Sequence, residues 1–125
     1  MTSSRPAALI VEDQPFVGMV ASDILRESGF ETFHAFDADV ALNILKQHPE
    51  IEVLLTEKDL PGQIDGVELS RRVASERPDV RLVLTSREKG AAPDGLPEGA
   101  RVLCKPFATA ELTTLVSAMT LLQEA

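Results

Sequence analysis

The chain has 125 residues, the length of one ordinary domain, and 44% of them are hydrophobic, which is enough for a core. Its formal charge is −8, which disfavours nucleic-acid binding because that depends on cation–phosphate contacts. A single cysteine excludes a disulfide framework, and no apolar run has the length of a membrane span or the position of a signal peptide. We therefore expect a cytoplasmic domain without a membrane segment.

Five short segments are predicted to be strands. Three of them, 8–11, 53–55 and 80–84, are apolar almost without alternation, which is typical of parallel strands covered on both faces. Segments 31–36 and 101–104 are predicted as two further strands.

Helices are predicted between these strands. The first begins at Pro15 and ends at Gly29, with apolar residues at four-residue spacing: Phe16, Val20 and Ile24. The second is capped by Asp37 and stops before Pro49.

A third helix is predicted over 66–76, and Thr109 is the predicted cap of the last. The last helix has an apolar stripe of period 3.6: Leu112, Leu115, Val116, Met119 and Leu122. Segment 87–99 holds three glycines and two prolines, so a loop or a single turn replaces a helix there. The alternation predicts an α/β fold with an open, doubly wound sheet.

Ligand sites in doubly wound sheets form at the carboxyl ends of the strands. The acidic, hydroxyl and amino groups expected there are Glu12, Asp13, Glu57, Asp59, Thr85 and Lys105. Clustered carboxylates need a cation, and oxygen ligands favour Mg²⁺. With a lysine and a threonine opposite the metal, this is the inventory of a phosphoryl-transfer site.

Four ordered motifs carry a family resemblance: LIVED at 9–13, LLTEKDLPGQIDG at 54–66, LVLTS at 82–86 and CKPF at 104–107. Over essentially its whole length the chain resembles a receiver domain of a two-component response regulator. The resemblance implies a flavodoxin-like, five-stranded parallel sheet of order 2-1-3-4-5 with helices on both faces. It also implies action in a phosphorelay.

The resemblance also implies roles for individual residues. Glu12 and Asp13 would hold Mg²⁺ together with the side chain of Glu57 and the backbone carbonyl of Asp59. Thr85 would be the switch hydroxyl, and Lys105 would bind the phosphoryl group. The bond between Lys105 and Pro106 would be cis, a geometry found almost only before proline.

One position departs from the family pattern. The phosphoacceptor of receiver domains is an aspartate, whereas the Leu60-Pro61-Gly62 and Asp65-Gly66 motifs align Glu57 with it. The extra methylene displaces the carboxylate, and a misplacement near 1 Å can cost about a hundredfold in rate. We therefore hypothesise that Glu57 is not phosphorylated in the usual way, and that it partly mimics the phosphorylated state or leaves the domain unswitched.

Two further departures point to an atypical receiver, or pseudo-receiver. Val102 stands where the family usually has an aromatic switch residue, and the loop at 87–99 replaces the fourth helix. His34 and His48 lie too far in sequence from the acidic motifs to be offered as ligands, and Cys104 is predicted to be a small buried hydrophobe.

The leading hypothesis is a single receiver domain over 1–125 with no output domain, acting by protein–protein contact and not as an enzyme. Its expected partners are a sensor histidine kinase, a phosphotransfer protein or a downstream target protein. The alternative is a small Mg²⁺-dependent phosphohydrolase using the same acidic pocket. It is disfavoured because 125 residues leave no room for a substrate subdomain.

Overall fold

All five strands run parallel in one sheet. They are β1 (Ala7–Val11), β2 (Glu31–Ala35), β3 (Ile51–Glu57), β4 (Arg81–Ser86) and β5 (Arg101–Cys104), in the order β2-β1-β3-β4-β5. This is a computed structural model that describes residues 5–88, 90 and 92–124, with side chains up to residue 119. The predicted fold class and strand order are confirmed.

Four helices cover the two faces of the sheet. They are α1 (Pro15–Glu27), α2 (Ala38–Gln47), α3 (Gly66–Glu76) and α4 (Thr109–Glu124). Helices α1 and α4 pack on one face, and α2 and α3 on the other. Neighbouring residues of β1 divide between the faces, since Leu9 packs toward α2 and α3 while Ile10 packs toward α1 and α4. Both directions are buried, which explains why the strand is apolar without alternation.

The segment between β4 and β5 contains no helix among its described residues, 87, 88, 90 and 92–100, as predicted. Gly90, Gly95 and Gly99 adopt positive φ there, a conformation that a helix does not allow. Ala100 at the end of the segment packs against the core beneath α2 and α3. The loop thus partly covers the sheet where a helix would otherwise lie.

Two helix caps and one helix face were predicted, with different outcomes. Asp37 caps α2 by accepting a hydrogen bond from the Val40 amide at 2.9 Å. Thr109, in contrast, is the first residue of α4 and not its cap, and the Glu111 carboxylate accepts the Ala108 N–H at 2.8 Å. Of the predicted apolar residues of α1, Ile24 is buried, but Phe16 is 76% exposed and Val20 is 42% exposed.

The buried side of α1 is formed by three small residues and two larger aliphatic ones: Gly18, Ala21, Ser22, Ile24 and Leu25. In α4, the predicted stripe is buried at Leu112, Val116 and Met119, while the side chain of Leu122 lies outside the described residues. Cys104 was predicted to be buried, but it is only half-buried. No described helix has both the length and the apolar character needed to cross a membrane.

The start of α3 lies directly against the end of β3. The Gly66 N–H donates to the Lys58 carbonyl at 2.8 Å, and a Cβ on Gly66 would lie 2.0 Å from the Glu57 carbonyl oxygen. Only glycine fits that approach, because the obstructing atoms belong to the backbone. The Asp65 carboxylate accepts the Glu68 N–H at 2.9 Å and caps the helix. This packing positions the last residue of β3.

Candidate functional site

The carboxyl ends of β1 and β3 bring three of the four predicted acidic residues together. Glu12 and Asp13 follow β1, and Glu57 is the last residue of β3. Carboxylate oxygens of these three residues lie within 4.8 Å of one another. Thr85 is paired with Glu57 across β3 and β4, and its side chain is buried at the same edge of the sheet.

Asp59 is the predicted site residue that stands apart. It is exposed, and its carboxylate is not among those that approach one another in the described part of the chain. The expected role of its backbone carbonyl stays a prediction. Thr85 is close to the cluster, but its hydroxyl makes no hydrogen bond to Glu57 among the described residues.

Lys105 connects the two buried glutamates. Its Nζ lies 2.5 Å from Glu12 Oε1 and 3.1 Å from Glu57 Oε1, and all three side chains are at most 10% exposed. The peptide bond between Lys105 and Pro106 is cis, as the family resemblance implied. An ammonium group held this way offsets part of the repulsion between the two carboxylates.

The acidic cluster has uneven proton affinities. Burial, together with the neighbouring carboxyls of Glu12 and Asp13, raises the pKa of the Glu57 carboxyl to about 7, although the contact with Lys105 lowers it. The pKa of Asp13 is lowered, chiefly by its interaction with the neighbouring Glu57 carboxyl. In the metal-free pocket Glu57 is therefore the carboxyl that binds a proton most readily.

This difference predicts a pH-dependent stability for the metal-free chain. Because the folded-state pKa of Glu57 lies above its ordinary value of 4.5, the folded chain binds more protons than the unfolded chain between pH 4.5 and about 7. The free energy of unfolding should therefore fall as the pH rises through that window. We expect a loss on the order of 1 kcal/mol, after allowing for solvent screening. Urea unfolding in EDTA at a series of pH values measures it.

Two matched variants test whether Glu57, and not another acidic residue, causes the fall in stability with pH. Glu57→Gln, which resembles the protonated acid, should remove most of the fall in stability with pH. Glu52→Gln, in the same strand but paired with Arg81, should retain it. The lowered pKa of Asp13 acts in the opposite sense, below its ordinary value of 3.8, and so outside this window. A fall that survives in Glu57→Gln would contradict the assignment.

The cluster fits a hard divalent cation. Glu57 Oε2 is buried and has no hydrogen-bond partner among the described residues, so one oxygen remains for a further ligand. Glu12, Asp13 and Glu57 supply only carboxylate oxygens, the donors that Mg²⁺ prefers. These three residues are the ones that would hold the ion.

Sequence reasoning missed His34, which had been set aside as too distant. In the fold, β2 lies beside β1 and His34 Nε2 is 3.0 Å from the backbone carbonyl oxygen of Glu12. The ring also lies against Gly18 of α1. Only the sheet order could have indicated this, because 22 residues separate His34 from Glu12.

A cleft of about 430 Å³ adjoins the acidic cluster and was not predicted either. Its walls include Phe16, Val17 and Val20 of α1 and Phe107 after β5, and Lys105 borders both the cleft and the cluster. Arg87 at its edge donates to Gln14 Oε1 at 3.3 Å. Phe16 and Val20, the two residues of the predicted apolar face that are exposed, therefore form part of one wall of this cleft.

Comparison with known families gives a match over most of the chain. Residues 8–117 match the model of the "Response regulator receiver domain" family. The motifs that carried the resemblance in the sequence all lie inside that range, as do the acidic cluster and Lys105.

Individual relatives agree with that match. The response regulator receiver protein CpdR of Brucella abortus (strain 2308) is 29% identical over 114 residues, which cover 89% of this chain and 93% of CpdR. The phosphate regulon transcriptional regulatory protein PhoB of Klebsiella pneumoniae is 31% identical over 89% of the chain, which spans only 50% of PhoB. The crystal structure of a putative two-component system response regulator/GGDEF domain protein superimposes with a TM-score of 0.84 at 29% identity, covering 95% of this chain and 50% of that one.

Proposed function

Because the chain belongs to the response regulator receiver domain family, we propose that it is an atypical receiver whose acceptor position is held by Glu57. Receiver domains signal in two-component phosphorelays through contacts with other proteins. In this chain the signal would be transmitted without the usual phosphorylation of an aspartate. The contact between Glu57 and Lys105 is the observation that supports the proposal most directly.

The reach of the glutamate side chain is the physical basis. Glu57 Oε1 lies 3.1 Å from Lys105 Nζ, so the carboxylate itself contacts the group that would bind a transferred phosphoryl oxygen. A nucleophile must lie in line with the bond it attacks, and a displacement near 1 Å can cost about a hundredfold in rate. The longer side chain thus both misplaces the nucleophile and engages the lysine.

The glutamate can resemble a phosphoryl group only in part. A carboxylate carries one negative charge, against about 1.5 to 2 for a phosphoryl group near neutral pH. The Thr85 hydroxyl, which the resemblance assigns to the switch, has no hydrogen bond to Glu57 in the described part of the chain. Val102, at the position of the usual aromatic switch residue, is 36% exposed. We infer a fixed state, with the contact to Lys105 made and the threonine not drawn in.

Mg²⁺ would be held by Glu12, Asp13 and Glu57 and would neutralise the carboxylates around an incoming phosphoryl group. Lys105 contacts Glu12 Oε1 and Glu57 Oε1, which leaves the unpartnered Glu57 Oε2 for the metal. Lys105 thereby holds the pocket together whether or not the metal is bound.

Intact-protein mass spectrometry after incubation with Mg²⁺ and acetyl phosphate tests this proposal. The wild-type chain should show no stable mass gain of one phosphoryl group. A stable gain located at Glu57 by peptide mapping would overturn it, and steady turnover of the donor by wild-type protein would favour a phosphohydrolase instead.

We further propose that the partner docks over the cleft beside Lys105. A histidine phosphotransfer protein that binds at the acidic pocket must cover its rim, whether or not a phosphoryl group is transferred, and the cleft shares Lys105 with that rim. The walls offer exposed apolar surface at Phe16 and Val20, with the cationic Arg87 at the edge. A helical surface with an apolar stripe beside an acidic side chain is complementary to this arrangement.

Two valines give a matched test of that docking surface. Val20 in α1 is 42% exposed and lines the cleft, whereas Val40 in α2 is 44% exposed and lies elsewhere. In a panel of purified histidine phosphotransfer domains, one that binds wild type should bind Val20→Glu at least about tenfold more weakly, a loss of about 1.4 kcal/mol. Val40→Glu should bind like wild type. Equal losses for the two variants would place the interface elsewhere.

A further inference from the structure

We propose that His34 is a positioning residue of the acidic pocket, and that it acts on the backbone of Glu12. His34 Nε2 lies 3.0 Å from the Glu12 carbonyl oxygen. A carbonyl oxygen only accepts hydrogen bonds, so Nε2 must carry the proton and donate it. The histidine thus contributes a donor to the turn between β1 and α1, without touching the carboxylates.

Two consecutive residues of β2 hold both backbone groups of Glu12. The Glu12 N–H donates to the Ala35 carbonyl at 3.0 Å, while its carbonyl accepts from His34. The side chain is held as well, because Oε1 contacts Lys105 Nζ at 2.5 Å and Oε2 accepts the Gln14 N–H at 3.2 Å. Loss of the His34 donor releases one end of this arrangement and lets the carboxylate move relative to Lys105.

The space for the imidazole is provided by Gly18. A Cβ at position 18 would lie 2.3 Å from His34 Cε1 and 2.5 Å from Nε2, so no residue larger than glycine leaves the ring in place. The ring also packs against Phe36, with centroids 4.8 Å apart. Gly18 and His34 therefore form a complementary pair. The missing side chain at position 18 of α1 leaves space for the imidazole, and from that space the ring reaches the Glu12 carbonyl.

The inference is independent of the phosphorylation state of Glu57. It concerns where Glu12 is held, in a chain with or without metal. A wild-type chain that gains a phosphoryl group would overturn the proposed function and leave the His34 inference standing. A His34 substitution without effect on the position of Glu12 would overturn the inference and leave the proposed function standing.

Nuclear magnetic resonance of the metal-free, isotope-labelled chain tests the inference directly. In His34→Leu, the Glu12 carbonyl carbon and the Gln14 amide should shift, while resonances of β3 and α3 away from the pocket stay in place. His34→Gln keeps an N–H donor at similar reach and should return both resonances most of the way to their wild-type positions. A Glu12 carbonyl resonance unchanged in His34→Leu, or no recovery in His34→Gln, would overturn the proposal.

His48 provides the matched control. It is another half-buried histidine with an aromatic neighbour, Phe33 at 4.2 Å, and a polar partner, Glu50 at 3.1 Å, but it contacts no residue of the pocket. His48→Leu should leave the Glu12 and Gln14 resonances unchanged. Equal shifts in His48→Leu and His34→Leu would show a general loosening of the fold and overturn the positioning role.

Two further measurements keep the test decisive if His34→Leu fails to fold. Gly18→Ala retains the imidazole but displaces it, so it should shift the same two resonances. Unchanged resonances in that variant would count against the proposal. Titration with Mn²⁺ as a paramagnetic probe should show roughly tenfold weaker binding in His34→Leu or Gly18→Ala than in wild type, the usual cost of losing a group that orients a metal ligand.

Discussion

Glu57→Asp is expected to gain one phosphoryl group from acetyl phosphate in the presence of Mg²⁺, whereas the wild-type chain gains none. The substitution removes one methylene and withdraws the carboxylate from Lys105 Nζ, which it contacts at 3.1 Å in wild type. The shorter side chain frees the ammonium group for a phosphoryl oxygen and restores in-line attack. We expect the labelling rate to rise at least about a hundredfold.

Three controls define that result. Glu57→Gln keeps the side-chain length but has no nucleophile, so it should stay unlabelled. Asp59→Asn combined with Glu57→Asp should still be labelled, because Asp59 lies outside the acidic cluster. Omitting Mg²⁺ should slow labelling, since the metal neutralises the charges around the transferred group. Labelling of wild type and Glu57→Asp at equal rates would mean that side-chain length is not what limits phosphorylation.

Lys105→Met is expected to cause the largest loss of stability among the site variants. It leaves Glu12 and Glu57 buried side by side without the ammonium group that contacts both. Removing one partner of a buried ion pair typically costs roughly 3–5 kcal/mol, because a charge stays buried without compensation. Urea unfolding at pH 8 in EDTA should show a loss in that range. The loss should shrink at pH 5, where protonation of Glu57 removes one of the charges.

Lys58→Met is the matched control for Lys105. Lys58 Nζ also lies 2.5 Å from a glutamate oxygen, that of Glu88, but the Glu88 side chain is 71% exposed. Exposed ion pairs contribute little to stability, so this variant should unfold at nearly the wild-type urea concentration. Added Mg²⁺ should recover part of the stability of Lys105→Met, because a ligand that binds only the folded chain stabilises it. Equal losses for the two lysine variants would contradict the role assigned to the buried pair.

Most of the fold could be predicted from the sequence because its signals are local. A strand buried on both faces must be largely apolar, as β1 and residues 53–55 of β3 are. Asp37 begins a helix because its side chain caps the first turn, and Pro49 limits the same helix because proline cannot continue it. The loop before β5 was predictable for the same reason, since glycine and proline disfavour a helix wherever they occur. The acidic residues and Lys105 were found because strand ends converge in any parallel sheet.

The errors arose where a side chain's surroundings come from another part of the chain. Spacing alone placed Phe16, Val20 and Ile24 on one apolar face of α1. Only Ile24 of these three packs on the sheet, where its neighbours from the same helix are Ala21 and Leu25. The same spacing fits an exposed apolar wall equally well. Which side of the helix faces the core depends on how the helix is rotated about its axis against the sheet. That rotation is set by all contacts of the helix together.

The sequence by itself determined the order of the elements, the edge of the sheet that carries chemistry and the presence of a glutamate at the end of β3. Only the tertiary structure decided that Lys105 lies between Glu12 and Glu57, that His34 reaches the Glu12 carbonyl and that Gly18 makes room for it. Each of these is a contact between residues far apart in the chain. Residue type and spacing act over one element, whereas such distances are set by the packing of several elements against one another.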